Sequence, residues 1–175
     1  MSRVDKAAIV RAAEEVVRDR GAHKLTLDAV AAQCGLSKGG LIHHFRTKQS
    51  LLKAMLEAAI AREDGSVSAY VSLGDSLLVS RLKCIFELME DDEGLPRSLI
   101  AAVAEDPALL EPVKDKEVQR RRNICDVYSD PEMAELLILA AQGMFLGRVL
   151  GVVEPEDPII ERLQGRLLAL SADLA

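Results

Sequence analysis

Residues 26–45 read TLDAVAAQCGLSKGGLIHHF, the form of a helix, a tight turn and a second, shorter helix. Thr26 is a good N-cap, and Asp28 puts negative charge in the first turn. Leu27, Val30, Ala31 and Cys34 then fall at i, i+3, i+4 and i+7, a single apolar helical stripe. Gly35 follows at once, the residue that lets a chain leave a helix through positive φ. Ser37 caps the next helix, whose only apolar anchors are Leu41 and Phe45, four residues apart. Lys38, Gly39, Gly40, His43 and His44 are left on its outer side and its leading end.

A helix held by two anchors and small, polar or basic outside them is built to be presented. Gly39 and Gly40 each cost a helix roughly 1 kcal/mol against alanine. In return the backbone meets another surface with no Cβ in the way. A helix-turn-helix uses its second helix in this manner, sending its N-terminal end into the major groove of DNA. An ordinary turn between two core helices has little use for paired glycines and paired histidines.

With the flanking RDRG and RTKQSLLKAML, residues 3–62 resemble the DNA-binding domain of the tetracycline-repressor (TetR) family of transcriptional regulators. Gly21, Gly35, Ser37, Lys38, Gly39, Leu41, His44, Phe45, Lys48 and Leu51 carry the match at the family's spacing. Where the family usually has Tyr this chain has Ile42, which removes a hydroxyl commonly placed on a phosphate. The resemblance implies a helix-turn-helix DNA-binding domain over 1–62 and a regulatory, ligand-binding and dimerisation domain over 63–175.

Charge divides the chain in the same way. The net charge of −6 argues against a nucleic-acid binder if taken whole. Residues 1–62 hold 11 Lys and Arg against 6 Asp and Glu, a net +5, and the remainder holds 11 against 22, a net −11. A basic head on an acidic body suits a duplex that attracts one and repels the other. Cys34, Cys84 and Cys125 are far apart and form no CxxC or His/Cys cluster, so no metal and no cofactor is expected. Cys34 sits on the inner stripe and reads as a small buried hydrophobe, with a redox-sensing thiol as the alternative role. MSRVDKAAIV has no long apolar run, so a cytoplasmic protein with no membrane segment is expected.

Taken in order, the chain reads as all-α with about nine helices. Ser2 and Asp5 resemble a capping box before a helix carrying Ile9, Ala12, Ala13 and Val16, which Gly21 ends. Thr47 caps a fourth helix with Leu51, Leu52, Met55, Leu56, Ala59 and Ile60 on its stripe, running to about Arg62. Gly65 marks a break, followed by a short helix near 67–73, a turn at Gly74 and a helix from about Ser76 to Met89. Residues 91–94 form an acidic turn, and Pro96 opens a helix to about Ala104. After a turn bracketed by Asp106-Pro107 and Glu111-Pro112, a charged helix runs from Pro112 to about Tyr128. Its Arg120, Arg121 and Arg122 point around a helix rather than together, so the run reads as a solvated face. Pro131 opens an apolar helix to Val153, stopped by Pro155, and Pro158 opens the last, with Ile159, Leu163, Leu167 and Leu170 on its stripe. Gly143, Gly147 and Gly151 stand four apart; three internal glycines cost roughly 3 kcal/mol, which close helix-to-helix approach would offset.

The resemblance implies a homodimeric repressor that a small molecule releases from a pseudo-palindromic double-stranded operator. Lys38, His43 and His44, with the Gly39-Gly40 backbone behind the Ser37 cap, form the expected recognition set. Thr26, Thr47 and Lys48 are expected on phosphates. Lysine beside the exposed N–H groups of a helix N-terminus is unfavourable unless an anion joins it. The family places its dimer interface on its last two helices, which implies Gly143, Gly147, Gly151, Leu163 and Leu167 here. An effector would lie among the helices after residue 63, with Phe86, Met89, Tyr128, Met144 and Phe145 as candidates; core packing is the other role open to each. Two further readings fit less of the sequence. One is a DNA-bound regulator gated by a protein partner. The other is a helical enzyme, but His43 and His44 diverge by about 100° on a helix and no HExxH, GxSxG or phosphate loop is present.

Overall fold

The computed structural model describes residues 5–90, 96, 99, 100, 103, 104, 106–154 and 156–174. Ser2, the 91–94 turn and Pro155 lie outside the described residues. Among the described residues there are eight α-helices: α1 Lys6–Arg20, α2 Leu27–Gln33, α3 Lys38–His44, α4 Lys48–Ser72, α5 Leu77–Glu90, α6 Glu111–Val127, α7 Pro131–Val149 and α8 Pro158–Ala172. Short 3-10 helices occupy Ala22–Lys24 and Pro107–Leu110. Pro96, Leu99, Ile100, Val103 and Ala104 are helical too, where a further helix was expected. The chain is all-α, and none of the described helices is long and apolar enough to cross a membrane.

The chain forms two compact units, Met1–Ile60 with Glu93–Pro112, and Ala61–Asp92 with Val113–Ala175. In the first, Asp5 caps α1 by accepting from the Ala8 N–H at 2.7 Å. Ile9, Ala13, Val16 and Val17 of α1 meet Val30 and Ala31 of α2, Leu41 and Phe45 at α3, and Leu51 and Met55 of α4 in one core. Leu109, Leu99 and Val103 pack against the same core from a segment some fifty residues further along. Local periodicity carries no sign of that return.

In the second unit α5 packs on α7 and α8, and Leu78, Leu82, Ile85, Ile124, Leu137, Ile138 and Leu167 are among its buried residues. Tyr128, just past the end of α6, and Arg148 of α7 hold the two ends of α5. The Tyr128 hydroxyl accepts from the Leu78 N–H at 2.8 Å, and Arg148 Nε donates to the Met89 carbonyl at 3.3 Å. These bonds satisfy backbone groups that a helix leaves open at its termini.

Three expectations are corrected. Gly65 does not break the chain: α4 runs unbroken from Lys48 to Ser72. One glycine costs about 1 kcal/mol. Against that stand buried Val67 and ion pairs from Glu63 to Arg81 and from Asp64 to Lys116. The apolar helix α7 ends at Val149 rather than Val153, because Gly151 takes φ 73°. The Val152 N–H then bonds to the Gly147 carbonyl at 2.9 Å and the Gly151 N–H to the Arg148 carbonyl at 3.1 Å, a Schellman turn. Nor is Arg120 on a solvated face. It is 3% exposed and lies between Glu117 and Glu135.

Candidate nucleic-acid interface

The turn between α2 and α3 is closed by the same hydrogen-bond pattern. Gly35 takes φ 66°, its N–H bonds to the Ala32 carbonyl at 3.2 Å, and the Leu36 N–H bonds to the Ala31 carbonyl at 2.9 Å. Leu36 folds back onto the core as this happens. Thr26 Oγ1 accepts from the Ala29 N–H and Ser37 Oγ from the Gly40 N–H, each at 3.1 Å, so both helices start where the sequence places their caps. Gln33 Nε2 donates to Glu15 Oε2 at 2.9 Å and ties α2 to α1. A hydroxyl that accepts in a cap keeps its own O–H, so Thr26 and Ser37 each retain a donor.

Leu41 and Phe45 are buried, as expected, while Lys38, Gly39, Ile42 and His43 face outward and Gly40 and His44 are half-buried. A Cβ added at Gly39 would have nothing within 4 Å, and one at Gly40 would stand 3.4 Å from Ser37 Oγ. Intramolecular packing therefore gives Gly39 no reason to be glycine. His43 and His44 meet edge to face, ring centroids 5.8 Å apart, and offer their nitrogens in different directions.

Lys38 Nζ stands 3.0 Å from Asp28 Oδ2, with both side chains more than half exposed. A pair so open to water contributes about 0–1 kcal/mol. Asp28, read from sequence only as a first-turn charge, thus also partners Lys38. At the start of α4, Thr47 Oγ1 accepts from the Ser50 N–H at 3.0 Å and Ser50 Oγ accepts from the Thr47 N–H at 3.2 Å. This reciprocal cap leaves Lys48 exposed at the first position of the helix, with exposed Arg46 two residues before it. Sequence reading missed Arg46, and took Ile42 only as the place of a lost hydroxyl. Ile42 stands one turn after Lys38 on the outward face, 38% exposed, and its i+4 spacing was the available signal. Burial, then the charge of Glu15, pushes the Cys34 thiol up, which disfavours the reactive thiolate.

In the second unit Phe86, Met89 and Tyr128 are buried in one apolar cluster, with Met144 and Phe145 packed against it. Tyr128 spends its hydroxyl on the α5 cap. The five residues proposed for the dimer separate. Gly147 and Gly151 belong to the turn that ends α7, where a Cβ on Gly147 would fall 2.7 Å from Val153 Cγ2 of the same chain. Leu167 is in the unit's own core. Gly143 and Leu163 are on the surface, Gly143 with open space beside it. Leu136, Leu139 and Leu146 of α7, Leu150 at its C-cap and Ile159 of α8 are exposed as well. Along α7 and its C-cap the spacing 136, 139, 143, 146, 150 is one helical stripe.

A short, capped, outward-facing helix behind a glycine turn, within the basic stretch 1–62, has the form of a helix-turn-helix of a DNA-binding protein. The chain belongs to the TetR family of bacterial regulatory proteins: that family's N-terminal model matches residues 9–55, and the tetracyclin repressor-like C-terminal domain matches residues 77–172. It is 34% identical over 61 residues to the HTH-type transcriptional regulator UidR of Escherichia coli K12, covering 33% of this chain and 31% of UidR. It is 30% identical over 122 residues to the HTH-type transcriptional regulator CymR of Pseudomonas putida, covering 67% of this chain and 60% of CymR. The matches thus span less than two thirds of either relative. The multidrug binding protein EbrR, solved with imidazole, shares the fold at a TM-score of 0.69 and 24% identity over 93% of each chain. The relatives are regulators of transcription rather than enzymes.

Proposed function

We propose that the protein is a cytoplasmic homodimeric repressor that leaves a pseudo-palindromic operator when a small apolar effector binds its C-terminal unit. The observation that carries the DNA side of this reading is Gly39, a helical glycine on an exposed face that no intramolecular contact requires. Lys38, Gly39, Gly40 and His43, with His44 and Ile42 beside them, would meet base edges. Ser37, Thr26, Thr47 and Lys48 would hold phosphates and set the register. One such helix makes few base contacts, and a two-fold pair meets two half-sites roughly 34–36 Å apart or a multiple. The exposed stripe of Leu136, Leu139, Leu146 and Leu150, with Gly143, Ile159 and Leu163, supports a dimer through α7 and α8. A row of large exposed apolar side chains marks an association surface.

Effector control is supported by the likeness to EbrR, a multidrug binding protein. The coupling route is α4, which begins at Lys48 and continues past Ile60 into the second unit. A ligand that tilts α4 moves Lys48 in both protomers, and two half-sites must be met at once. Coupling of about 1–3 kcal/mol is typical, a factor of roughly 5 to 150 in affinity. The test is a titration of an identified ligand with and without an operator selected from random DNA. Operator should weaken the ligand by the factor by which ligand weakens operator. Equal ligand affinities refute induction, and tighter binding with operator present makes the ligand a corepressor.

A further inference from the structure

Two arginines are buried in the C-terminal unit, and they are satisfied to opposite degrees. Arg120, 3% exposed, gives its Nε to Glu117 at 2.9 Å and its two terminal nitrogens to Glu135 at 2.6 and 2.9 Å. Arg81, 6% exposed, has Glu63 Oε1 at 3.9 Å from Nη1, beyond hydrogen-bond reach. Its Nε is sealed from solvent and meets no acceptor among the described residues. A guanidinium carries five N–H donors and keeps its charge, so a buried donor left empty is costly. The fold gives every nitrogen of one buried guanidinium an acceptor and leaves Nε of the other without one.

The two carboxylates whose charges act on Glu63 do not close this gap. Asp64 is engaged by Lys116 and Glu117 by Arg120. Burial pushes the Glu63 carboxyl up, against the opposing pull of Arg81 and Lys116, which weakens its claim on the guanidinium. Arg81 also stands on the apolar stripe of α5, three residues after Leu78 and four before Ile85, both in the buried cluster that contains Phe86, Met89 and Tyr128. A cation set in an apolar face with an unpartnered donor is half of a recognition site for an amphipathic anion.

We propose that Arg81 anchors the acidic head of the effector, and that the effector is an apolar carboxylic acid. The carboxylate would lie along the Nε edge of the guanidinium once the side chains that now seal it part, the geometry in which arginine binds carboxylates most specifically. Its body would lie against the apolar cluster of α5. Glu63, close on the other side, favours a single negative charge over a dianion such as phosphate, and the buried arginine rejects amines. This rests on the effector-gated reading above and names the chemistry of that effector.

The test measures the thermal unfolding midpoint of the full chain with hexanoate, octanoate, decanoate, benzoate and phenylacetate, each beside its primary amide, and with inorganic phosphate. At least one acid should raise the midpoint saturably, with its amide about tenfold weaker or worse. Arg81→Gln should abolish that shift, and Arg81→Lys, which keeps the charge and loses the fork, should weaken the acid about tenfold. If Arg81→Gln does not unfold cooperatively, Arg81→Lys decides alone. The anchor is refuted if no acid binds, if amides or phosphate bind as tightly, or if the acids bind the variants as they bind the wild type. A neutral amide that binds and loosens a selected operator would refute the anchor and leave the effector-gated reading standing. An acid that binds through Arg81 without changing operator affinity would do the reverse.

Discussion

Replacing Gly39 by alanine should make the protein more stable and a poorer DNA binder. Gly39 is the second residue of α3, its backbone is not among the positive-φ glycines, and an added Cβ has nothing within 4 Å. The folded chain accepts the methyl group without strain. Removing a glycine from a helix then stabilises by about 0.5–1 kcal/mol through helix propensity and a less free unfolded chain. For a chain of this size that is about 1–4 °C in midpoint. Against DNA the same methyl group enters a gap closed by another surface, where overpacking costs about 1–3 kcal/mol. Circular dichroism melts give the first quantity, and fluorescence anisotropy on a selected operator at fixed salt gives the second. Gly40→Ala is the comparison: its Cβ falls 3.4 Å from Ser37 Oγ, the acceptor of the cap, so its gain in stability should be smaller. A Gly39→Ala protein that is more stable and binds operator as well as the wild type would refute the close approach.

Lys48→Ala should weaken all DNA sequences alike and make the slope of log K against log salt shallower by roughly 1 unit per protomer, checked by anisotropy across a salt series. Gly147→Ala, whose Cβ would meet Val153 Cγ2 at 2.7 Å, should destabilise the C-terminal turn of α7 by about 1–3 kcal/mol in a urea melt. Leu146→Glu, on the exposed stripe, should instead yield monomers in sedimentation velocity; a dimer there would remove α7 from the interface. The hydrogen bond from Arg120, then that from Arg121, holds the Glu135 carboxyl below its ordinary value of 4.5. A carboxylate depressed in the folded state stabilises above its unfolded pKa and loses that contribution as pH falls through the folded one. Glu135→Gln should therefore destabilise at neutral pH, and its difference from the wild type should shrink below about pH 4.5; a constant difference would count against the pairing.

The helix-turn-helix was legible because everything that fixes it is local. Caps at Thr26, Ser37 and Thr47 and the turn at Gly35 act within four residues, and a stripe at i, i+3, i+4 declares its buried side. What stayed hidden depends on distant partners. Arg120 is buried because Glu135, fifteen residues away, comes to meet it, and nothing in the triple-arginine run announces that. Gly65 looks like a break by propensity, yet Val67 and the pairs made by Glu63 and Asp64 with later helices keep α4 whole. The end of α7 was misplaced because one left-handed glycine suffices to close a helix inside an apolar run.

Leu99, Val103 and Leu109 complete the core beneath the helix-turn-helix from a segment the chain reaches only after α5. The DNA-reading head is therefore not a bead that can be cut from the string at residue 62. A fragment ending there would leave open the apolar surface those three side chains cover and should clump or melt early. A graft of this head onto another body would have to carry the second segment with it. Evolution faces the same restriction: recombination at one point between α4 and α5 would part the reader from three of its own supports, so head and body are inherited as a pair.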